Sequence, residues 1–161
     1  MNNEELKDRA KVRLFPPVVP VITILMGVGL QRLWPLDLGF ALPAAGRYWA
    51  GGVIVVGSLL GLGLWSVLLF RHSGQNVSPW TRTPEIVERG PFRITLNPMY
   101  LQMVLACIGF SVILSNLWIL ALTPVCGLIL QASSILPEEA YLEKKFGEPY
   151  LDYKRRVRRW L

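Results

Sequence analysis

The chain is poor in charge, in cysteine and in histidine. Charged side chains make up 17% of its 161 residues, whereas an ordinary soluble domain carries about 25%. The missing charge is concentrated in long uncharged runs, which excludes an ordinary soluble globule. Two cysteines are too few for a secreted disulfide scaffold. An apolar content of 52% is too high for a disordered tail. The single histidine, His72, lacks His, Cys or carboxylate partners at metal-ligand spacing, so no metal site is expected. GxSxG, Walker A and GxGxxG patterns are also absent. The net charge of +6 would suit nucleic acid, but its placement suits anionic lipid better, and no nucleic-acid partner is expected.

What is present is apolar length. Four runs stand out, at about 16–34, 48–70, 98–114 and 117–136. The second has 23 residues without a charge, which at 1.5 Å per residue is about 34 Å and crosses a hydrocarbon core. Lipid offers no partners for open backbone groups, and no barrel-like alternation is present, so the runs should be helical. The expectation is an all-α integral membrane protein, a single domain over 1–161 with four transmembrane helices. The third and fourth form a tight hairpin across Ser115 and Asn116, and short cytoplasmic helices follow. The first run is read as retained, because Pro16, Pro17 and Pro20 crowd its start and no convincing cleavage site follows. Gly57 and Gly61 suggest a close helix contact, and Pro124 a kink. Cys107 and Cys126 read as small packing residues.

Charge sets the orientation. Lys7, Arg9, Lys11 and Arg13 precede the first run, and Arg71, Arg82, Arg89 and Arg93 follow the second. Lys144, Lys145, Lys154, Arg155, Arg156, Arg158 and Arg159 lie in the tail, while only Arg32 and Arg47 fall on the other side. The positive-inside rule then places both termini and the long loop in the cytoplasm.

Polar residues gather in two places. The loop 71–97 is long for a helix connection and dense in turn formers. Its regular apolar residues Val77, Trp80, Ile86, Val87 and Phe92 suggest an ordered loop folded against the membrane face. Pro137-Glu138-Glu139 reads as the first turn of a new helix, where proline and acidic residues are both favoured. Gly147 should stop that helix and Pro149 start another. The tail 150–160 then reads as a short basic amphipathic helix on the lipid surface.

Several motifs occur in a recognisable order: Gly90-Pro91-Phe92-Arg93, Asn97-Pro98-Met99-Tyr100-Leu101, Glu138-Glu139, Tyr141-Leu142, Phe146-Gly147, Tyr150, Tyr153 and Val157-Arg158-Arg159-Trp160. Gly74-Gln75-Asn76-Val77-Ser78-Pro79 adds to the series. Together, over 71–161, they resemble the isoprenylcysteine carboxyl methyltransferase family and, more loosely, the phospholipid methyltransferases, in their bacterial members. The resemblance implies a membrane methyltransferase that uses S-adenosyl-L-methionine at the cytoplasmic face of the bacterial inner membrane. Its acceptor would be a lipid-like or small molecule reached from the bilayer. By the same resemblance the cofactor site would include Pro84, Glu85, Ile86, Val87, Phe92, Asn97, Pro98, Met99, Tyr100 and Glu138, with no catalytic residue assigned. A carboxylate near the bilayer edge would attract a sulfonium or ammonium more strongly than in water, and Tyr100 and Phe92 offer flat faces for adenine or a cation. The sequence departs from the family pattern at Leu96-Asn97, where Arg-His is usual, and at Ser134 and Pro137, where arginine is frequent. These departures leave open a non-catalytic scaffold or partner-binding subunit that keeps the fold. An NADPH-dependent membrane reductase is a further alternative. Oligomeric state is left open.

Overall fold

The computed structural model describes residues 12, 14–36, 43–74 and 83–161. The basic residues Lys7, Arg9, Lys11, Arg13 and Arg82, the loop residues Val77 and Trp80, and most of the motif 74–79 lie outside these. Five helices follow in order: α1 (Val18–Leu33), α2 (Ala44–His72), α3 (Pro98–Ile113), α4 (Leu117–Phe146) and α5 (Glu148–Arg156). A single 3-10 turn, Gly90–Arg93, precedes α3. No strand occurs among the described residues; Thr95 and Arg158 form an isolated bridge.

Two helices, α2 and α4, are long and apolar enough to cross a membrane. With 29 and 30 residues they reach about 44 Å. The apolar helices α1 and α3 are shorter, at 16 residues each. Large apolar side chains lie exposed along the outer faces, among them Val21, Leu25 and Met26 on α1, Trp49, Val53, Leu60 and Leu64 on α2, and Val125 and Leu128 on α4. Such a girdle would aggregate in water and is at home in lipid.

Helix α3 packs against α1, α2 and α4, and α1 also packs along α4. Between α1, α3 and α4 lies the main core of Val19, Tyr100, Cys107, Ile119, Cys126, Leu130 and Ile135. Both cysteines are free and fully buried there, as packing residues should be. The α3–α4 hairpin turns at Ser115, whose φ is 46°, and Asn116 caps α4 by accepting from the Ile119 N–H at 3.1 Å. The same Asn116 amide donates to the Gly27 carbonyl of α1 at 3.1 Å, and Trp118 donates to the Trp34 carbonyl at 2.7 Å. These bonds tie one end of the bundle together.

The expected helix contact at Gly57 and Gly61 needs correction. Gly57 and Gly61 face open space, with no neighbour within 4 Å of a β-carbon built on either. The close helix contact is made instead by Gly51 of α2 and Gly109 of α3. A β-carbon on Gly51 would lie 2.5 Å from the Gly109 carbonyl oxygen, and one on Gly109 would lie 2.5 Å from Val55 Cγ2. The two backbones touch there because neither has a side chain.

Pro137 stands in the first turn of the α-helical segment Leu136–Phe146, with Glu138 and Glu139 beside it, as expected; what the sequence did not show is that this segment continues the preceding helix. Helix α4 runs through it without a break, by way of a π-helical turn at Gln131–Ile135. A proline in a regular α-helix clashes with the carbonyl four residues back. Widening the preceding turn relieves that conflict, and the Leu136 N–H bonds to the Gln131 carbonyl, five residues earlier. The helix ends at Gly147, whose φ of 61° and ψ of −133° suit only glycine.

Candidate functional site at the polar end of the bundle

The loop, the ends of α2 and α4, and α5 converge on one small apolar cap. Val87, Phe92, Leu96, Tyr150 and Tyr153 are buried in it, with Leu69, Phe70, Ile86, Leu142, Phe146 and Val157 packed around them. Phe92 stacks on Phe70 with ring centroids 5.1 Å apart. The Tyr153 hydroxyl donates to the Phe92 carbonyl at 2.6 Å. Gly90 allows this seating: its φ is 56°, and a β-carbon there would come within 2.9 Å of Trp65 on α2. From residue 83 onward the loop is thus ordered by its apolar residues. Because the Tyr153 bond is buried, Tyr153→Phe should lower stability by about 1–2 kcal/mol, read by chemical denaturation in detergent.

The tail does not continue as a lipid-surface helix. After α5 it runs extended at 157–161 and returns across the loop. The Leu96 N–H donates to the Arg158 carbonyl at 2.9 Å. The Arg159 carbonyl accepts from Thr95 Oγ1 at 2.9 Å and from Asn97 Nδ2 at 3.2 Å. Trp160 Nε1 donates to Gln131 Oε1 in the π-turn at 2.9 Å. Its charges are largely spent within the protein. Arg156 pairs with Glu88 at 2.9 Å, and Arg155 with Glu148 at 3.0 Å.

The paired glutamates have opposite environments. Glu139 is 3% exposed. Arg159 grips it with two bonds, Nε to Oε1 at 2.6 Å and Nη2 to Oε2 at 2.9 Å. Lys154 Nζ lies 2.8 Å from the same carboxylate. Burial pushes the Glu139 pKa up, but the Arg159 and Lys154 hydrogen bonds and charges outweigh it and hold it below the ordinary carboxylate range.

Glu138 lies just beyond the apolar part of α4 and is half-buried. Tyr100, at the start of α3, donates its hydroxyl to Glu138 Oε2 at 2.9 Å. No ion pair to Glu138 occurs among the described residues. Burial raises its pKa most, the Tyr100 bond works against that, and the charge on Glu139 raises it further, with a net upward shift. Such a carboxylate favours the fold when protonated, below the ordinary carboxylate pKa. That contribution is lost as pH rises through its raised value. At neutral pH Glu138 therefore stands to gain from any cation that reaches it. A donor set of one uncompensated carboxylate, one phenol and apolar walls fits a small organic cation; no group of three or more potential metal ligands occurs among the described residues.

The structure brings Tyr100 and Glu138 together. It places the other residues expected at the site variously. Asn97 is buried and its amide is engaged with the tail. Pro98 is fully buried at the first turn of α3, and Met99 beside it is half-buried. Ile86, Val87 and Phe92 lie in the apolar cap, and the Phe92 ring is stacked on Phe70. Pro84 and Glu85 are exposed. Sequence reading missed Thr95, Gln131, Glu139, Arg159 and Trp160 as a connected set. Their partners lie 20 to 64 positions away, and no local pattern reports such pairing.

An all-helical membrane protein with a carboxylate poised at its polar rim defines the class. The chain matches the phospholipid methyltransferase family over residues 47–149 and belongs to that family. Membership implies methyltransferase activity in a membrane protein. The matched stretch takes in nearly all of α2, the loop, the hairpin and both glutamates. The chain is also similar to an uncharacterized protein of Haemophilus influenzae (strain ATCC 51907 / DSM 11121 / KW20 / Rd). The two are 38% identical over 65 residues, which is 39% of this chain and 100% of that protein. No solved structure matches the chain.

Proposed function

We propose that the protein transfers a methyl group from S-adenosyl-L-methionine to a lipid-like or small acceptor at the cytoplasmic face of the bacterial inner membrane. In this reading all four long helices cross the bilayer, both termini are cytoplasmic, and isoprenylcysteine carboxyl methyltransferase-like chemistry is included among the possible transfers. The observation that carries it is Glu138: a half-buried carboxylate, oriented by Tyr100, with no cation among the described residues. Bound at this rim, S-adenosyl-L-methionine supplies an electrophilic methyl group on a positively charged sulfur. Glu138 attracts the positive charge, and attraction is stronger here than in water because apolar helices border it. Tyr100 fixes the carboxylate's direction. The cap of Phe92, Tyr150 and Tyr153 closes the cytoplasmic side and limits water, so that positioning and desolvation lower the barrier.

Titration calorimetry of detergent-purified protein with S-adenosyl-L-methionine should give saturable one-site binding. Mass spectrometry of lipid and thiol extracts, from cells with and without the gene, should show an acceptor heavier by about 14 daltons, one methyl replacing one hydrogen. Folded protein that binds no S-adenosyl-L-methionine would overturn the reading. Binding without any methylated product would favour a subunit that has kept the fold and lost the reaction, and binding of a reduced nicotinamide cofactor instead would favour the reductase.

A further inference from the structure

Two adjacent acids stand at the rim, and both cations near them go to the same one. Arg159 and Lys154 bind Glu139, and Lys154 Nζ also lies 2.5 Å from Glu143 Oε1. Glu138, the next residue, keeps only the Tyr100 hydroxyl. Arg159 is held at this place by its backbone as well as by its side chain. Its carbonyl is bound to Thr95 and Asn97, immediately before the helix that carries Tyr100. A guanidinium freed from Glu139 would remain anchored between the helix that presents Tyr100 and the helix that presents Glu138. Arg side chains seek carboxylates in two-bond geometry, and of the two carboxylates left beside Glu139, Glu143 is already held by Lys154 whereas Glu138 has no cation among the described residues.

We infer that Glu139 is a positioning residue: it sequesters Arg159 and Lys154, and so leaves the charge on Glu138 uncompensated for a cationic ligand. The tail is thereby both a fastening and a source of charge that must be kept off the site. This rests on the proposed donor site, and it makes a claim about the protein without ligand that can be judged separately. The titratable groups that act on Glu138 are Tyr100 from α3, Glu139 of its own helix and Tyr150 from α5, while Lys154, Arg159 and, through Lys154, Glu143 are gathered around Glu139.

The test compares wild type, Glu139→Gln, Arg159→Gln and the double variant, each checked for folding by size exclusion in detergent. The first readout is the infrared carboxyl band of Glu138 in ligand-free protein, assigned by its loss in Glu138→Gln and followed against pH. In Glu139→Gln the band should ionise at lower pH than in wild type, because Arg159 turns to Glu138. In the double variant, which has no guanidinium to redirect, the ionisation should return part of the way, the rest of the shift coming from the lost Glu139 charge and the freed Lys154. The second readout is affinity for S-adenosyl-L-methionine. It should fall about tenfold in Glu139→Gln, equivalent to one new competing ion pair, and recover in the double variant.

A purely structural role predicts the opposite order, with the double variant as weak as Glu139→Gln or weaker, and that result would overturn the inference. So would a Glu138 titration in Glu139→Gln that matches the double variant. If Glu139→Gln does not fold alone, Glu139→Gln/Lys154→Gln, which keeps Arg159, is compared with the Glu139→Gln/Arg159→Gln double variant: Glu138 should ionise at lower pH where Arg159 is kept, and equal titration in the two refutes the inference. Wild-type protein that binds no donor removes the proposed function while the infrared result still decides this one.

Discussion

Glu138→Gln should weaken binding of S-adenosyl-L-methionine about a hundredfold, the scale expected when one partner of a desolvated charge pair is removed. The change keeps size and shape and removes only the charge, so the protein should still fold. It should even melt at a higher temperature near neutral pH, because a carboxylate whose pKa is raised by burial costs stability once ionised. Loss of binding with unchanged or improved stability is the signature of a site residue. The wild-type affinity should fall as pH drops through the raised Glu138 value, since the neutral acid no longer attracts a cation, and that dependence should vanish in the variant. Comparison with S-adenosylhomocysteine, which lacks the sulfonium charge, locates the contact. If Glu138 faces sulfur, the methionine form loses more; if it faces the ammonium group, both lose equally. Calorimetry over a pH series measures all of these.

Gly109→Leu should be strongly destabilising. Even a β-carbon there would meet Val55 Cγ2 at 2.5 Å, the Gly51 carbonyl at 3.0 Å and the Val55 nitrogen at 3.2 Å. Two of these are backbone atoms that cannot turn aside, so α2 and α3 must separate. Overpacking of this kind costs about 3 kcal/mol, and the separation would also disturb the contacts that hold Tyr100 at the start of α3. Gly57→Ala and Gly61→Ala provide the control. Both positions are open, and alanine should leave stability unchanged or raise it by about 0.5–1 kcal/mol through better helix propensity. A thermal or denaturant series in detergent separates Gly109→Leu from the two controls.

The broad architecture was legible because lipid imposes a simple rule, that uncharged runs of sufficient length become helices. The hairpin at Ser115 and Asn116 was legible for the same reason, since only two polar residues interrupt the apolar sequence. Which glycines face a neighbour was not, because spacing alone does not say where the neighbour stands; Gly51 and Gly109 lie on different helices. Pro137 was legible as a first-turn residue, but its joining to the preceding helix was not, because the π-turn over Gln131–Ile135 has no sequence signature of its own. At the site, motif order singled out Tyr100 and Glu138, which the fold brings to 2.9 Å. The same motifs placed Glu138 and not Glu139 at the site, but could not say what Glu139 does. That depends on Arg159, some 20 positions further on, and on a chain reversal that ends with Trp160 bonded to Gln131.

The widened turn at Gln131–Ile135 has an evolutionary consequence. A π-turn accommodates one residue more than the regular spiral would, so everything after it is rotated by about 100° relative to an uninterrupted helix. Tightening that turn to the regular spiral with no residue lost would swing the acidic pair around the axis by about that angle, taking Glu138 off the phenol and Glu139 off the guanidinium. Losing one residue together with the widening would leave both acids facing as they do, so homologues with the same two acids but a tighter turn should be compared by the direction of the side chain rather than by its place in an alignment.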